Sequence, residues 1–179
     1  DIDLLGTRDQ FMQLIDAAAS WMRHGLCHFR VRSQTDEKIE LILYSIDGRH
    51  SLTFDLWVRL RQVGRGRLEL TYEGCRHLVD ERRGGIVRLP VDVETCIYIQ
   101  HLICKRKDLG RESPQRRLLD YAEHLMSIRE LALARLTRQV AEQRVVADHI
   151  EHETLKHLRG RVTLLPSQRG VVSKVRRLW

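Results

Sequence analysis

The sequence predicts an α+β fold, in which a small mixed sheet with a covering helix is followed by a helical C-terminal region. Up to about residue 90, apolar and polar residues alternate in short runs, which is the period of half-buried strands. From Asp92 onward the apolar spacing becomes helical and stays so. We therefore predict an α+β core over residues 1–90, a helical region over residues 91–159, and a basic linker or tail over residues 160–179.

The predicted core begins with a strand over residues 1–5 and continues with a helix. Thr7 and Gln10 have the spacing of a capping box, and an apolar face at helical intervals follows them. Gly25 is placed to end this helix, because glycine adopts the left-handed conformation common just after a helix.

Three further strands are predicted after the helix. Residues 27–31 and 39–43 alternate between apolar and polar side chains. Asp47-Gly48 is a strong hairpin signal. The strand after it, residues 50–60, places Leu52, Phe54 and Leu56 on one face and Asp55 on the opposite one.

The rest of the chain gives weaker signals. Residues 59–67 are basic and contain glycine, which predicts a loop, and residues 68–72 and 86–89 have the composition of short strands. Asp92 is the expected N-cap of the first helix in the helical region. A long charged helix is predicted over residues 128–157.

The net charge of +7 and the pI near 9.6 favour an anionic partner, either a nucleotide, a nucleic acid or an acidic membrane surface. Solvated arginines on helical faces explain the same charge equally well. A single-strand nucleic-acid binder built on base stacking is disfavoured, because aromatic residues make up only 6% of the chain and do not alternate with the basic clusters. Nucleic acid in general is also disfavoured as a partner, because no known nucleic-acid-binding motif accompanies the arginine clusters at 59–67 and 169–177.

The apolar and cysteine content bears on the cellular location. The sequence lacks an apolar run near the roughly 20 residues of a membrane-spanning helix, so no membrane span is expected. Four scattered cysteines without a Cys-x-x-Cys pair favour a reducing, cytoplasmic compartment. A chain that starts at Asp1, without an initiator Met, is expected to be a fragment.

Three carboxylates are the candidate functional residues. Asp1 and Asp3 share one side of the first strand, and Asp55 lies on the polar face of a later one. Carboxylate oxygens suit Mg²⁺, which is usually held by one or two carboxylates and the phosphates of a substrate. Zinc is disfavoured, because the nine histidines and four cysteines do not have the spacing of zinc ligands.

The order of these elements resembles the minimal nucleotidyltransferase fold of polymerase-beta-like enzymes: Asp-x-Asp on a strand, a helix, then antiparallel strands carrying a lone Asp. A Gly-Ser pair precedes the first two Asp in that family, and that position lies before Asp1. The closer resemblance is to domains of bacterial polysaccharide-biosynthesis clusters that precede a thymidylate-kinase-like domain. Residues 1–5, 52–57 and 97–109 carry it, and residues 174–179 look like the connector to such a kinase-like domain.

The resemblance implies a Mg²⁺-dependent transfer of a nucleoside monophosphate from an NTP to an acceptor, with Asp1, Asp3 and Asp55 as catalytic metal ligands. A basic residue would steady the triphosphate, and four candidates stay open: Arg30, Arg32, Arg59 and Lys105. Many members of this fold have lost catalysis. The alternative is therefore an inactive interaction or regulatory module attached to a kinase-like domain, which would lie beyond residue 179, since the chain has no P-loop motif.

Overall fold

A computed structural model describes residues 2–78, 81–83, 86–105, 116–117 and 140–168. The fold is mixed α+β, as predicted. Its contacts divide the chain into two compact units, residues 1–60 and residues 61–179. The division at residues 90 and 159 stays a prediction.

The first unit is built on a four-stranded mixed sheet. Its strands are β1 (Ile2–Leu5), β2 (His28–Gln34), β3 (Lys38–Tyr44) and β4 (Ser51–Trp57), in the order β1-β4-β3-β2. β1 pairs with β4 in parallel, whereas the other two pairs are antiparallel. The loop between β3 and β4 contains Gly48 at φ +67°, which confirms the hairpin predicted at Asp47-Gly48.

Helix α1 (Arg8–Arg23) packs on one face of this sheet. The predicted capping box is present: the Gln10 amide donates to Thr7 Oγ1 (3.2 Å), and the Thr7 amide donates to Gln10 Oε1 (2.9 Å). Gly25 follows the helix at φ +66°, as expected. Phe11 of α1 is buried with Ile39 of β3, and with Leu41 and Leu56, so the opposite face of the sheet carries the polar side chains.

The second unit contains a smaller sheet, a strand pair and two longer helices. β5 (Arg59–Val63), which spans the boundary between the units, forms a sheet with β6 (Leu68–Thr71) and β9 (Leu164–Pro166), in the order β5-β6-β9. A short helix α2 (Tyr72–Cys75) and a 3₁₀ turn (Arg76–Leu78) follow β6. β7 (Glu81–Arg83) pairs with β8 (Ile86–Arg88), and the helices are α3 (Val91–Cys104) and α4 (Val140–Arg161).

Two sequence predictions for this unit were wrong. Residues 59–67 are predicted as a loop, but this basic segment begins with β5, which has β6 as its strand partner. The Arg61 side chain of β5 forms an ion pair with the Glu69 side chain of β6 at 3.4 Å. Asp92 is not the N-cap of α3, which is Pro90. The Asp92 carboxylate instead accepts from His157 Nε2 of α4 (2.7 Å).

The long predicted helix is observed as α4 from Val140 onward, and the segment 118–139 lies outside the described residues. β9, for which no strand is predicted, pairs antiparallel with β6. Among the described helices, none is both long and apolar enough to cross a membrane.

Candidate functional site

Asp3 and Asp55 lie side by side on the polar face of the four-stranded sheet. β1 and β4 pair in parallel with Asp3 opposite Asp55 and Leu4 opposite Leu56. Leu4 and Leu56 belong to the core under α1, so the two aspartates point to the other face. Neighbouring strands are about 4.8 Å apart, which brings two carboxylates into one small region. Asp3 is exposed, whereas the Asp55 side chain is 20% exposed.

Lys38 of β3 supplies a positive charge to this pair. Its Nζ lies 2.7 Å from Asp55 Oδ2 and 4.8 Å from the centroid of the Trp57 ring. The contact follows from register, because Lys38 is the cross-strand partner of Trp57. The ammonium therefore has both a carboxylate and an aromatic face as neighbours.

Trp57 connects Lys38 to the other aspartate. Its indole Nε1 donates to Asp3 Oδ1 at 2.9 Å. The four side chains thus form a continuous chain of contacts, from Asp3 through Trp57 and Lys38 to Asp55. One oxygen of each aspartate carboxylate takes part in these contacts.

Glu40 and the arginines of β2 extend the polar face. Glu40 is the cross-strand partner of Asp55 and accepts from Arg32 Nη1 at 2.9 Å. The register between β2 and β3 shifts at Arg32, a bulge that leaves this residue out of the regular pairing. Arg30 pairs with Ile42, and it is exposed on the same face.

The structure brings together some of the predicted site residues and not others. Asp3 and Asp55 are adjacent, and Arg30 and Arg32 lie on the same face of the same sheet. Asp1 lies outside the described residues. Two candidates lie outside the four-stranded sheet: Arg59 is the first residue of β5, and Lys105 follows α3 in the second unit.

Lys38 and Glu40 are site neighbours that the sequence prediction missed. The signal that would have found them is the hairpin turn at Asp47-Gly48. A hairpin pairs residues that are equally far from its centre, and Lys38 is as far before this turn as Trp57 is after it. The same symmetry places Glu40 opposite Asp55.

The donor set is one that a divalent cation prefers, although it is small. Asp3 and Asp55 offer carboxylate oxygens, the ligands of Mg²⁺, and Lys38 Nζ already places a positive charge on Asp55. Within the described ranges, no group of three His, Cys, Asp or Glu side chains is arranged to hold a metal ion. Mg²⁺ needs only one or two carboxylates when phosphates supply further oxygens, so the two aspartates fit that requirement.

Comparison with protein-family models, with curated proteins and with solved structures found no match. The resemblance to nucleotidyltransferase domains therefore depends on the residues that carry it, of which Asp3 and Asp55 are adjacent in the sheet.

Proposed function

We propose that the first unit is a nucleotidyltransferase-like domain that binds a Mg²⁺–NTP complex on the polar face of its sheet. The observation that carries the proposal is the pairing of Asp3 with Asp55 in register, on the face opposite the core. Two adjacent carboxylates repel each other, and a bound cation would remove that repulsion. Their adjacency therefore indicates a cation-binding site.

Each polar side chain has a role in this proposal. Asp3 and Asp55, together with Asp1, would hold Mg²⁺, which when bound neutralises the triphosphate and the charge that develops during transfer. The indole of Trp57 fixes the orientation of Asp3 through the 2.9 Å hydrogen bond. The reaction would transfer a nucleoside monophosphate to an acceptor and release pyrophosphate.

Lys38 has two consequences for this site. Its ammonium occupies Asp55 Oδ2, so it competes with a cation for that oxygen. Lys38 also contacts the aspartate pair directly. The lysine side chain is flexible, so it is suited to leave Asp55 and pair with a phosphate of the nucleotide. We expect Lys38→Met to strengthen binding of Mg²⁺ alone and to weaken binding of the Mg²⁺–triphosphate complex.

Calorimetric titration of a non-hydrolysable NTP into the complete protein, with and without Mg²⁺, tests the proposal. Any downstream kinase-like P-loop should be disabled first. We expect Mg²⁺-dependent binding in the wild type and its loss in Asp55→Asn and in Asp1→Asn/Asp3→Asn, since the amide removes the negative charge with little change in shape.

Asp36→Asn is a matched control for Asp55→Asn. Asp36 belongs to the same unit, its side chain is 99% exposed, and its ion pair with Arg8 is long, at 3.9 Å. This variant should bind the nucleotide like the wild type. Mg²⁺-dependent binding that survives in Asp55→Asn would contradict the proposed site.

A second candidate function is an inactive interaction or regulatory module attached to a kinase-like domain. The observation that favours it is that Asp55 and Asp3 already have partners within the protein, Lys38 and Trp57. If neither the wild type nor Lys38→Met binds Mg²⁺ or the nucleotide, this second function is preferred.

A further inference from the structure

The polar face of the four-stranded sheet continues beyond the aspartate pair, along β3 toward the β3–β4 hairpin. Ile42 and Tyr44 follow Glu40 at two-residue intervals in β3, so they lie on the same face as Glu40. Leu41 and Leu43, which alternate with them, pack in the core under α1 on the opposite face. Ile42 and Tyr44 are both half-buried. This face therefore carries an apolar and aromatic region next to the aspartates.

The strand register arranges this region in two rows across the sheet. Ile42 is the cross-strand partner of Thr53 in β4 and of Arg30 in β2. Tyr44 is the partner of Ser51, one row further from the aspartate pair. The Tyr44 row lies four residues along the strands from the aspartate pair, which is about 13 Å at a rise of about 3.3 Å per residue. That distance is within the reach of an extended nucleoside triphosphate.

Arg30 differs in its contacts from Arg32, the other arginine of β2. Arg32 Nη1 donates to Glu40 Oε1 at 2.9 Å. Arg30, by contrast, makes no ion pair and no side-chain hydrogen bond with another described residue. A guanidinium binds a phosphate with two parallel hydrogen bonds, and Arg30 has this capacity unused on the face that carries the aspartates. Of the two arginines in β2, Arg30 is therefore the one suited to the triphosphate.

Tyr44 is the aromatic residue of this region. Within the part of the chain that the structure describes, its ring makes no aromatic or cation–π contact and its hydroxyl makes no hydrogen bond. The helix of the first unit, α1, packs on the other face of the sheet. An aromatic ring on the open face of a sheet is a platform on which a nucleobase can stack.

The face extends less far on the other side of the aspartate pair. A single paired row lies there, formed by Leu5, Trp57 and Lys38. The aromatic residue of that row, Trp57, already has Lys38 Nζ over its ring and donates to Asp3 Oδ1. The longer stretch of sheet and the aromatic ring without a contact both lie in the direction of Tyr44.

We infer that the bound nucleoside triphosphate lies along β3 and β4, with its base stacked on Tyr44 and its phosphates between Arg30 and the aspartate pair. Ile42 and Thr53, in the row between, contact the ribose. This inference rests on the proposed function, because the cation at the aspartate pair fixes the phosphate end of the ligand. Stacking uses the π-face that every base has, so the site accepts both purine and pyrimidine nucleotides.

A comparison of inorganic tripolyphosphate, which has no base, with non-hydrolysable analogues of ATP and CTP tests this inference. Calorimetry uses the complete protein with Mg²⁺ present and any downstream P-loop disabled. The wild type should bind both nucleotides about tenfold more tightly than tripolyphosphate, because only the nucleotides stack on Tyr44. Tyr44→Val, which suits a strand, should lose this advantage and bind tripolyphosphate like the wild type. Tyr44→Phe, which keeps the ring, should retain the advantage.

Arg30→Gln should weaken the binding of tripolyphosphate and of both nucleotides, because it removes a phosphate contact that all three ligands share. Arg23→Gln is the matched control: Arg23 is an exposed arginine of α1 in the same unit, and it too makes no ion pair with another described residue. This variant should bind all three ligands like the wild type.

The inference is overturned if the wild type binds tripolyphosphate and the nucleotides equally, or if Tyr44→Val binds the nucleotides as tightly as the wild type. It is also overturned if Tyr44→Val weakens all three ligands equally, since Tyr44 would then have no specific contact with the base. In each of these cases, Mg²⁺-dependent binding that Asp55→Asn abolishes would still support the proposed function. If the wild type binds none of the three ligands, the proposed function and this inference both fail.

Discussion

Gln100 gives the sharpest test of how the second unit is held together. It belongs to α3 and is fully buried. Its Oε1 accepts from the Gly64 amide at 3.1 Å, and its Nε2 donates to the Glu151 carbonyl of α4 at 3.0 Å and to Thr154 Oγ1. One side chain therefore connects the β5–β6 turn to both helices.

We expect Gln100→Met, which keeps the length but removes the polar atoms, to lower the free energy of unfolding by about 3 kcal/mol. The largest contribution is the buried Gly64 amide, which loses its acceptor at a cost of about 1–3 kcal/mol. The bonds to α4 contribute less, because Thr154 Oγ1 keeps its 2.8 Å bond to the Ile150 carbonyl.

Urea unfolding, with hydrogen exchange of the Gly64 amide as a local probe, measures this effect. Gln62→Met is the matched control, because Gln62 Oε1 is buried without a hydrogen-bond partner among the described residues, so its removal should cost little. A loss below about 1 kcal/mol for Gln100→Met, or equal losses for the two variants, would refute the reasoning.

Two further predictions concern the same unit. Gly74→Ala should lower the free energy of unfolding by about 1–3 kcal/mol, because the new Cβ would overlap the carbonyl oxygen of Thr163, and the Thr163 amide donates to the Gly74 carbonyl. Gly160→Ala is the matched control: it lies in open space within α4, so it should raise the melting temperature instead. The pKa of Asp92 is lowered, because burial, which alone would raise it, is outweighed mainly by the hydrogen bond from His157. The stabilisation that the Asp92 carboxylate contributes to the fold is therefore present above its ordinary pKa of 3.8, and it is lost as the pH falls through the lower pKa of the folded protein. Asp92→Asn should therefore flatten the acid limb of a plot of urea midpoint against pH.

The features that the sequence predicted correctly are local. The capping box at Thr7, the glycine after α1 and the hairpin at Asp47-Gly48 each depend on residues a few positions apart. The features that were missed depend on distant partners. β9 is a three-residue strand that exists because β6 offers a pairing edge. Asp92 does not cap α3, because its carboxylate accepts a hydrogen bond from His157, which lies 65 positions away.

The candidate site shows both situations within one sheet. Lys38 and Glu40 reach Trp57 and Asp55 through hairpin symmetry, which the sequence contains. The position of Asp3 depends on the nonlocal pairing of β1 with β4.

If β1 slipped by two residues along β4, apolar side chains would still face the core. In one of the two directions, the slip would place Leu5 rather than Asp3 beside Asp55. The Gly6 amide opposes such a slip by donating to the Trp57 carbonyl at 3.1 Å, and Phe11 packs so closely over Gly6 that a Cβ there would lie 2.9 Å from its ring. The register that joins the two aspartates is thus fixed by the turn that leads into α1, outside the Asp-x-Asp motif itself.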